Sequence, residues 1–485
     1  MTSLNKVVQN SFLYSFSSII LRASSIIFFP LFSLYLTKAD YGILSISQSI
    51  YIILVLLAGL ELNKALTRFI FNKNNHKQAQ DNKLIYTSLS ISFSFGCLIV
   101  LFMTFIGQYF LGPILKDISY YPYVFVYTLC IPLNTVVDTC RVYLKARHKG
   151  VQVFILDTSF YSFNILLNLF FIIILKWDVL GLIFGTFLNI VIFLIILIFV
   201  FYRKFSFSFD RSIALKFLKY STPLIPYAIL NILFESIDKF SLNANLGSEK
   251  SGIYYLALTF AAIFSAVKES VINALTPWIF ENIENKNELY LRNVFNVIFV
   301  GLGIIAVGIA WFSKEVLIIL SSNPEFIQAS FYIPFAVMSL YFIFLGQLFN
   351  IKSFYFAKKN HFLFMATLTG ILINLLVCHY FIPDYGIYGA VAGRIFGSAI
   401  LTAVIVYISF SETEKRNIYH LPVLLTTLVC IFGFCLFPLF DNNSLYFLII
   451  KSLLYLIILL SFSFYLNKKF DFFAILKSKF SSIKK

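Results

Sequence analysis

Apolar runs of about twenty residues, separated by short polar joints, occupy most of the chain from Ser11 to Leu466. Because a helix rises about 1.5 Å per residue, a run of this length crosses the roughly 30 Å hydrocarbon layer of a bilayer. The pattern predicts an all-α integral membrane protein of about 14 transmembrane helices. The runs lie near residues 11–36, 42–62, 84–106, 121–143, 152–174, 180–202, 222–246, 252–278, 293–312, 329–351, 362–382, 386–410, 420–439 and 444–466.

Composition supports this interpretation. Of the 485 residues, 60% are hydrophobic and only 12% are charged, which is typical of a polytopic helical protein and not of a soluble domain. The first run has Arg22 at its middle and no cleavage site of small residues, so we expect it to be retained as a helix and not removed as a signal peptide.

The net charge of +16 comes mainly from Lys and Arg residues in alternate joints between the runs. Alternate joints are rich in Lys and Arg, as in 64–83, 141–149 and 203–219, whereas the intervening joints hold about one cation each, assigned as Lys38, Lys116, Lys176, Lys250, Lys314 and Arg394. The positive-inside rule places the rich joints and both termini in the cytoplasm, which requires an even number of spans. The basic excess therefore indicates topology and contact with membrane lipids, and no nucleic-acid partner is predicted.

An internal repeat divides the chain. Residues 36–43 correspond to residues 246–253 at an offset of 210, and Asn168, Gly181 and Gly185 correspond to Asn374, Gly386 and Gly389. The repeat predicts two six-helix bundles related by a pseudo-two-fold axis along the membrane normal. The predicted units are residues 1–205, residues 206–410, and residues 411–485 with two additional C-terminal helices and a basic cytoplasmic tail.

Enzyme signatures are missing from the sequence. There is no P-loop, G-x-S-x-G or H-E-x-x-H motif, and no joint is long enough for a folded extramembrane unit. The six cysteines fall within apolar runs, and the five histidines lack metal-ligand spacing. We expect no catalytic residues, no metal site and no cofactor.

Ionisable residues inside the runs need a reason, because each costs about 2.5–3.5 kcal/mol at a helix centre. Arg22 and Lys268 lie near the middle of their runs and are the best candidates for contact with an anion. Other polar residues form stripes at helical spacing, which predicts a hydrated cavity: Asn134, Asp138, Arg141 and Lys145; Asp157, Tyr161, Asn164 and Asn168; Asn231, Glu235 and Asp238; and Glu269 beside Lys268.

Two structural explanations for the polar stripes are alternatives to a hydrated cavity. Serine and asparagine side chains also hold membrane helices together by hydrogen bonds worth about 0.6 kcal/mol each. Glu235 and Lys239 are four residues apart, so they can simply neutralise one another.

Several short motifs resemble the polysaccharide-export branch of the MATE-like MOP (multidrug/oligosaccharidyl-lipid/polysaccharide) superfamily, which includes O-antigen and lipid II flippases. They are Leu36-Thr37-x-x-x-Tyr41-Gly42; Pro223 followed by Asp238-Lys239, Gly247, Gly252 and Tyr254; and Lys358-Lys359-Asn360 before the stretch from Asn374 to Gly389. The chain departs from the family at Asp238-Lys239, where Asp-Arg is usual. The resemblance runs over nearly the whole chain.

The resemblance implies a flippase that moves undecaprenyl-pyrophosphate-linked oligosaccharide, such as an O-antigen repeat unit, to the outer leaflet of a bacterial inner membrane by alternating access. Arg22 and Lys268 match positions where lipid II flippases carry cavity cations, which assigns them to the pyrophosphate. The further substrate-binding candidates are Arg141, Asn231 and Lys239, and the candidates for proton or sodium coupling are Asp138, Asp157, Glu235, Asp238 and Glu269. Other membrane proteins of polysaccharide assembly are expected partners.

Three rival functions remain. A lipid II flippase would share the cavity cations. A multidrug cation antiporter of this fold would need an acidic residue in the first run, which contains Arg22 and no acid. A membrane-embedded polysaccharide polymerase would need a large outer loop, and the outer joints are too short for one.

Overall fold

The computed structural model describes residues 27–71, 78–201, 208–284, 288–357, 361–412, 427–431, 433, 435 and 445–470. All regular structure within these ranges is helical, as predicted. The α-helices are α1 Phe29–Tyr35, α2 Lys38–Gly59, α3 Leu62–Phe71, α4 Gln78–Leu115, α5 Phe125–Ala146, α6 Gly150–Leu169, α7 Asp178–Phe201, α8 Arg211–Ser221, α9 Ile225–Leu246, α10 Ser248–Glu284, α11 Glu288–Trp311, α12 Ser313–Leu320, α13 Ile333–Ala357, α14 His361–Tyr385, α15 Ile387–Glu412 and α16 Leu445–Phe470.

Eleven helical segments of the described chain are long and apolar enough to cross a membrane, so the protein is a multi-pass membrane protein. They coincide with eleven of the fourteen predicted runs: Lys38–Gly59, Asp81–Leu115, Tyr120–Ala146, Gly150–Ile174, Asp178–Val200, Ser248–Asn273, Leu291–Trp311, Ile333–Asn350, Phe362–Tyr385, Ile387–Ser409 and Tyr446–Tyr465.

Three predicted spans are not among these eleven. Most of run 11–36 and most of run 420–439 lie outside the described residues. The third, run 222–246, forms helix α9, which has the length of a span but carries Glu235, Asp238 and Lys239 in its middle. The count of fourteen therefore stays a prediction, as does the division into units at residues 205 and 410.

The joint before α2 shows what its motif residues do. Thr37 caps the helix, because its hydroxyl accepts a hydrogen bond from the Asp40 amide while the Asp40 carboxylate accepts one from the Thr37 amide. Tyr41 is buried and meets the ring of Phe326 edge to face at 5.4 Å. The motif therefore fixes where α2 begins and what its first turn packs against.

The two copies of this repeated joint contact each other. A Cβ atom on Gly42 would overlap the carbonyl oxygen of Ser248, and a Cβ on Gly252 would overlap the carbonyl oxygen of Lys38. The contact is reciprocal under the offset of 210 residues, since 38 corresponds to 248 and 42 to 252. Reciprocal contact is the arrangement that a two-fold axis produces, and here it brings the starts of α2 and α10 together.

We expect Gly42→Ala to lower the thermal stability of the purified protein. The added methyl group overlaps backbone, which cannot rotate away, and overpacking of this kind costs about 1–3 kcal/mol. Gly59→Ala is the control on the same helix, because within the described residues no atom outside its own helical turn lies within 4 Å of its Cβ position. Equal melting temperatures for the two variants in detergent would show that the contact is not as close as described.

Polar contacts close the side of the bundle that carries the cation-poor joints, which we call the outer side following the predicted orientation. The Asp117 carboxylate accepts hydrogen bonds from the amide and the hydroxyl of Ser248, the latter at 2.6 Å. The Asn243 side chain donates to the Leu115 carbonyl at 3.0 Å, and the Lys116 amine donates to the carbonyl of Asn245. We name these residues the outer latch: Lys116, Asp117, Asn243, Asn245 and Ser248.

Helix α16 is attached to the second half of the chain through a buried ion pair. The Lys451 amine lies 2.6 Å from the Glu315 carboxylate of α12, and the Lys451 side chain is fully buried. One turn further along, the Tyr455 hydroxyl donates to the Ile304 carbonyl at 3.2 Å. Most other α16 side chains are exposed and apolar, which suits a helix whose outer face meets lipid.

Candidate cavity with converging charges

A cavity of about 620 Å³ lies among α9, α10, α13, α14 and α15. Its charged lining residues are Glu235, Lys239, Lys268, Glu269 and Arg394, and its uncharged polar lining includes Asn231, Thr259, Gln347, Asn350 and Thr367. The lining extends to Leu363, in the first turn of α14, which lies on the predicted cytoplasmic side. The outer latch lies at the opposite ends of these helices, so the cavity and the closed side are separated along the membrane normal.

Five of the predicted site residues meet in this cavity. They are Asn231, Glu235, Lys239, Lys268 and Glu269. A sixth, Asp238, is fully buried behind the wall. Arg22 lies outside the described residues, so its assignment to the pyrophosphate stays a prediction.

Arg394 is the cavity residue that the sequence analysis misplaced. It was assigned to an outer joint, but it lies inside α15 and is only 3% exposed. Its guanidinium is 2.9 Å from the Asp238 carboxylate and 2.7 Å from the Glu235 carboxylate, both on α9. Its position inside apolar run 386–410 is the sequence signal that indicates a membrane-buried cation, as it does for Lys268.

The Arg394 cluster also corrects a second expectation. Glu235 forms its ion pair with Arg394, while the Lys239 amine donates to the Ser49 hydroxyl of α2 at 3.1 Å. Neutralisation of Glu235 by Lys239 within one helix is therefore not how this carboxylate is paired. Lys239 instead connects α9 to a helix of the first half of the chain.

Lys268 lies on the cavity wall near the middle of helix α10. Its amine is 3.1 Å from the Glu269 carboxylate, and the Gln347 side chain donates to the same carboxylate at 3.3 Å. The Lys268 side chain is 4% exposed, whereas that of Glu269 is 38% exposed. Among the described residues, three cations and two carboxylates thus line the cavity, and a further carboxylate, Asp238, lies buried behind Arg394.

A second buried cluster joins α5 and α6. The Arg141 guanidinium lies 2.7 Å from Asp138 and 2.6 Å from Asp157, and the Asn134 amide donates to Asp138 at 2.9 Å. None of these four residues is among those that line the cavity. Their predicted roles in substrate binding and ion coupling stay predictions, and the geometry shows a cation already matched by two carboxylates.

No group of three or more His, Cys, Asp or Glu side chains with metal-site geometry occurs in the described ranges. The cavity therefore offers amines, a guanidinium, carboxylates, amides and hydroxyls as its polar groups. Amines and guanidinium groups suit phosphate oxygens, and amides and hydroxyls suit sugar hydroxyls.

Known proteins match this chain both by family sequence model and by structure. The sequence model of a family described as polysaccharide biosynthesis protein matches residues 7–283. A search of curated protein sequences returns no significant match.

Solved structures match over most of the chain. An inward closed conformation of the lipid II flippase MurJ has a TM-score of 0.71 at 14% identity, covering 95% of this chain and 99% of that one. An inward-facing multidrug resistance MATE family transporter of the MOP superfamily has a TM-score of 0.63 at 16% identity, covering 86% and 98%. A MOP superfamily transporter from Pyrococcus furiosus, described as having a binding pocket of reversed polarity, has a TM-score of 0.58 at 16% identity, covering 83% and 95%. At these identities the matches show the fold.

Proposed function

Because the chain belongs to the polysaccharide biosynthesis protein family and has the fold of MOP superfamily transporters, we propose that it is a flippase for undecaprenyl-pyrophosphate-linked oligosaccharide. It moves an O-antigen or related repeat unit from the cytoplasmic to the periplasmic leaflet of a bacterial inner membrane, with both termini in the cytoplasm. It transports and does not catalyse a reaction, and it works beside other membrane proteins of polysaccharide assembly.

The observation that carries the proposal is the convergence of Lys239, Lys268 and Arg394 on one cavity within the membrane. Cations at this depth are costly unless they meet anions, and a diphosphate offers oxygens for both amine and guanidinium donors. Asn231, Gln347 and other uncharged polar lining residues supply partners for sugar hydroxyls. The polyprenyl chain needs no polar path, because it can stay in lipid.

The rival functions fit the cavity less well. A carrier of cationic drugs is favoured by a net negative cavity, but the described lining carries three cations and two carboxylates. A lipid II flippase fits the same cations, so the glycan must be identified by assay. The membrane potential favours outward movement of an anion by about 2.3 kcal/mol per charge per 100 mV, and coupling to a proton or sodium ion through the carboxylates remains the alternative source of energy.

Alternating access requires the outer latch to open. We expect a disulfide between Asp117→Cys and Ser248→Cys to stop transport, because it would hold together two segments whose side chains already meet at 2.6 Å. Reduction with dithiothreitol should restore activity, and each single variant under oxidant is the control. Full transport by the oxidised pair, with cross-linking verified by mass spectrometry, would rule out opening at this place.

Reconstitution tests the proposed function itself. Purified protein in liposomes should expose polyprenyl-diphosphate-linked oligosaccharide, initially shielded in the inner leaflet, to a glycosidase that cannot cross the membrane. Without protein the glycosidase reaches only the oligosaccharide of the outer leaflet, which is about one half of the total. With the protein present, we expect nearly all of the oligosaccharide to be cleaved. A fraction that stays at the protein-free level in active preparations would contradict the proposal.

A further inference from the structure

Glu235 lies where the positive charges of the cavity converge. Its carboxylate is 2.7 Å from the Arg394 guanidinium, Lys239 follows it by four residues on the same helix, and Lys268 lines the same cavity. Its side chain lines the cavity and is 54% exposed. A carboxylate in contact with the cavity thus occupies the point at which three cations favour an anion.

Arg394 would keep its place if Glu235 moved away. Its other terminal nitrogen pairs with Asp238 at 2.9 Å, and Asp238 is fully buried and also accepts a hydrogen bond from the Tyr254 hydroxyl. The nitrogen that now faces Glu235 would then be presented to the cavity. A guanidinium held on one side by a buried carboxylate is well oriented to donate to a phosphate on the other.

We propose that Glu235 is an internal competitor that fills an anion subsite formed by Arg394, Lys239 and Lys268, and that the substrate's diphosphate displaces it. This inference rests on the proposed function, since the diphosphate is the ligand of that same cavity. In the empty protein Glu235 neutralises the one positive charge of these three cations that Asp238 and Glu269 leave unbalanced. Binding is then an exchange of one anion for another. The substrate is therefore held less tightly than it would be without the competing carboxylate, and it is more easily released.

Glu269 provides a matched comparison. It lines the same cavity and carries the same charge, but its carboxylate contacts Lys268 and Gln347, whereas that of Glu235 contacts Arg394. Glu269→Gln therefore removes one negative charge from the cavity and frees Lys268, but it leaves Glu235 paired with Arg394. Glu235→Gln removes the same charge from the point of convergence.

Titration calorimetry with inorganic pyrophosphate on the detergent-purified full chain tests the inference. We expect Glu235→Gln to bind pyrophosphate about tenfold more tightly than the native protein, because the competing carboxylate is gone and three cations remain. Glu269→Gln should change the affinity by less than about threefold, because Arg394 stays occupied. Unchanged or weaker binding by Glu235→Gln, or an equal gain in both variants, would overturn the inference.

The native protein provides a second measurement that does not depend on the folding of a variant. A water-soluble carbodiimide with an amine nucleophile labels accessible carboxyl groups, and mass spectrometry reports each site. Pyrophosphate should increase the labelling of Glu235 at least twofold and leave that of Asp238 unchanged, because displacement frees the Glu235 carboxylate from Arg394. Labelling of Glu235 that stays constant or falls with pyrophosphate would contradict displacement.

The outcomes separate this inference from the proposed function. If lipid-linked oligosaccharide is moved but Glu235→Gln binds pyrophosphate like the native protein, the internal competitor is wrong and the flippase stands. If oligosaccharide is not moved but Glu235→Gln gains affinity as expected, the anion subsite stands and its ligand is a different phosphate compound.

Discussion

Lys268→Ala is expected to reach the membrane at the native level and to lose transport by about ten- to a hundredfold, because a hydrogen bond to a charged group contributes about 1.5–3 kcal/mol. The variant removes one of the three cations of the cavity. It leaves Glu269, whose side chain is 38% exposed and therefore remains solvated without its partner. The loss should appear in binding and movement of the substrate and not in the amount of folded protein.

Lys250→Ala is the matched control for this variant. Lys250 is on the same helix, α10, but lies exposed in its first turn near the outer side. Its removal changes the net charge equally and leaves the cavity intact. Transport rates of the two variants in proteoliposomes, normalised to incorporated protein, make the comparison. Native transport by Lys268→Ala would remove Lys268 from the substrate site.

Arg394→Met is expected to destabilise the folded protein by about 3–5 kcal/mol, since it leaves the fully buried Asp238 carboxylate without its ion pair. Thermal unfolding in detergent should show a large drop in melting temperature. Replacing Asp238 by Asn in the same chain should recover most of this loss, because the uncompensated charge is then gone. Arg211→Met on the exposed face of α8 is the control for loss of an arginine.

The recovery by the double variant is the informative part of that experiment. If Arg394→Met and the combined Arg394→Met with Asp238→Asn unfold at the same low temperature, the cost lies in the packing of Arg394 and not in its pairing with Asp238. If Arg394→Met unfolds like the native protein, the ion pair contributes nothing to stability.

The sequence predicted those parts of the fold that the lipid bilayer imposes, namely the membrane-spanning helices. Run length alone located eleven spans, because crossing a bilayer demands about twenty apolar residues whatever the neighbours are. The motif around Thr37 and Gly42 predicted the repeat and a resemblance to polysaccharide-export proteins; the family match places the chain among polysaccharide biosynthesis proteins, and the solved structures show the MATE-like fold. The helix cap at Thr37 is local to the motif and can be read from the sequence, whereas the partner of Gly42 in its close backbone contact, Ser248, lies in the other copy of the repeat.

Pairing between distant helices could not be predicted in the same way. Helical spacing showed that Glu235 and Lys239 share a face of α9, and proximity within the helix suggested that they pair. The actual partner of Glu235 is 159 residues away on α15, and nothing in the periodicity of either helix indicates which faces meet. For the same reason the stripe of Asp138 and Arg141 did not indicate that Arg141 also pairs with Asp157 of the next helix, and its place in a cavity wall stays a prediction.

The sidedness of lipid-linked glycan in intact spheroplasts tests the central claim most directly. Cells with and without the protein are treated with a lectin or glycosidase that reaches only the outer leaflet, and the protected fraction is measured after lysis. The account predicts that loss of the protein removes glycan from the outer leaflet and accumulates it in the inner one, and that Lys268→Ala reproduces most of this defect. Unchanged sidedness without the protein, with altered glycan chain length or drug resistance instead, would contradict the account.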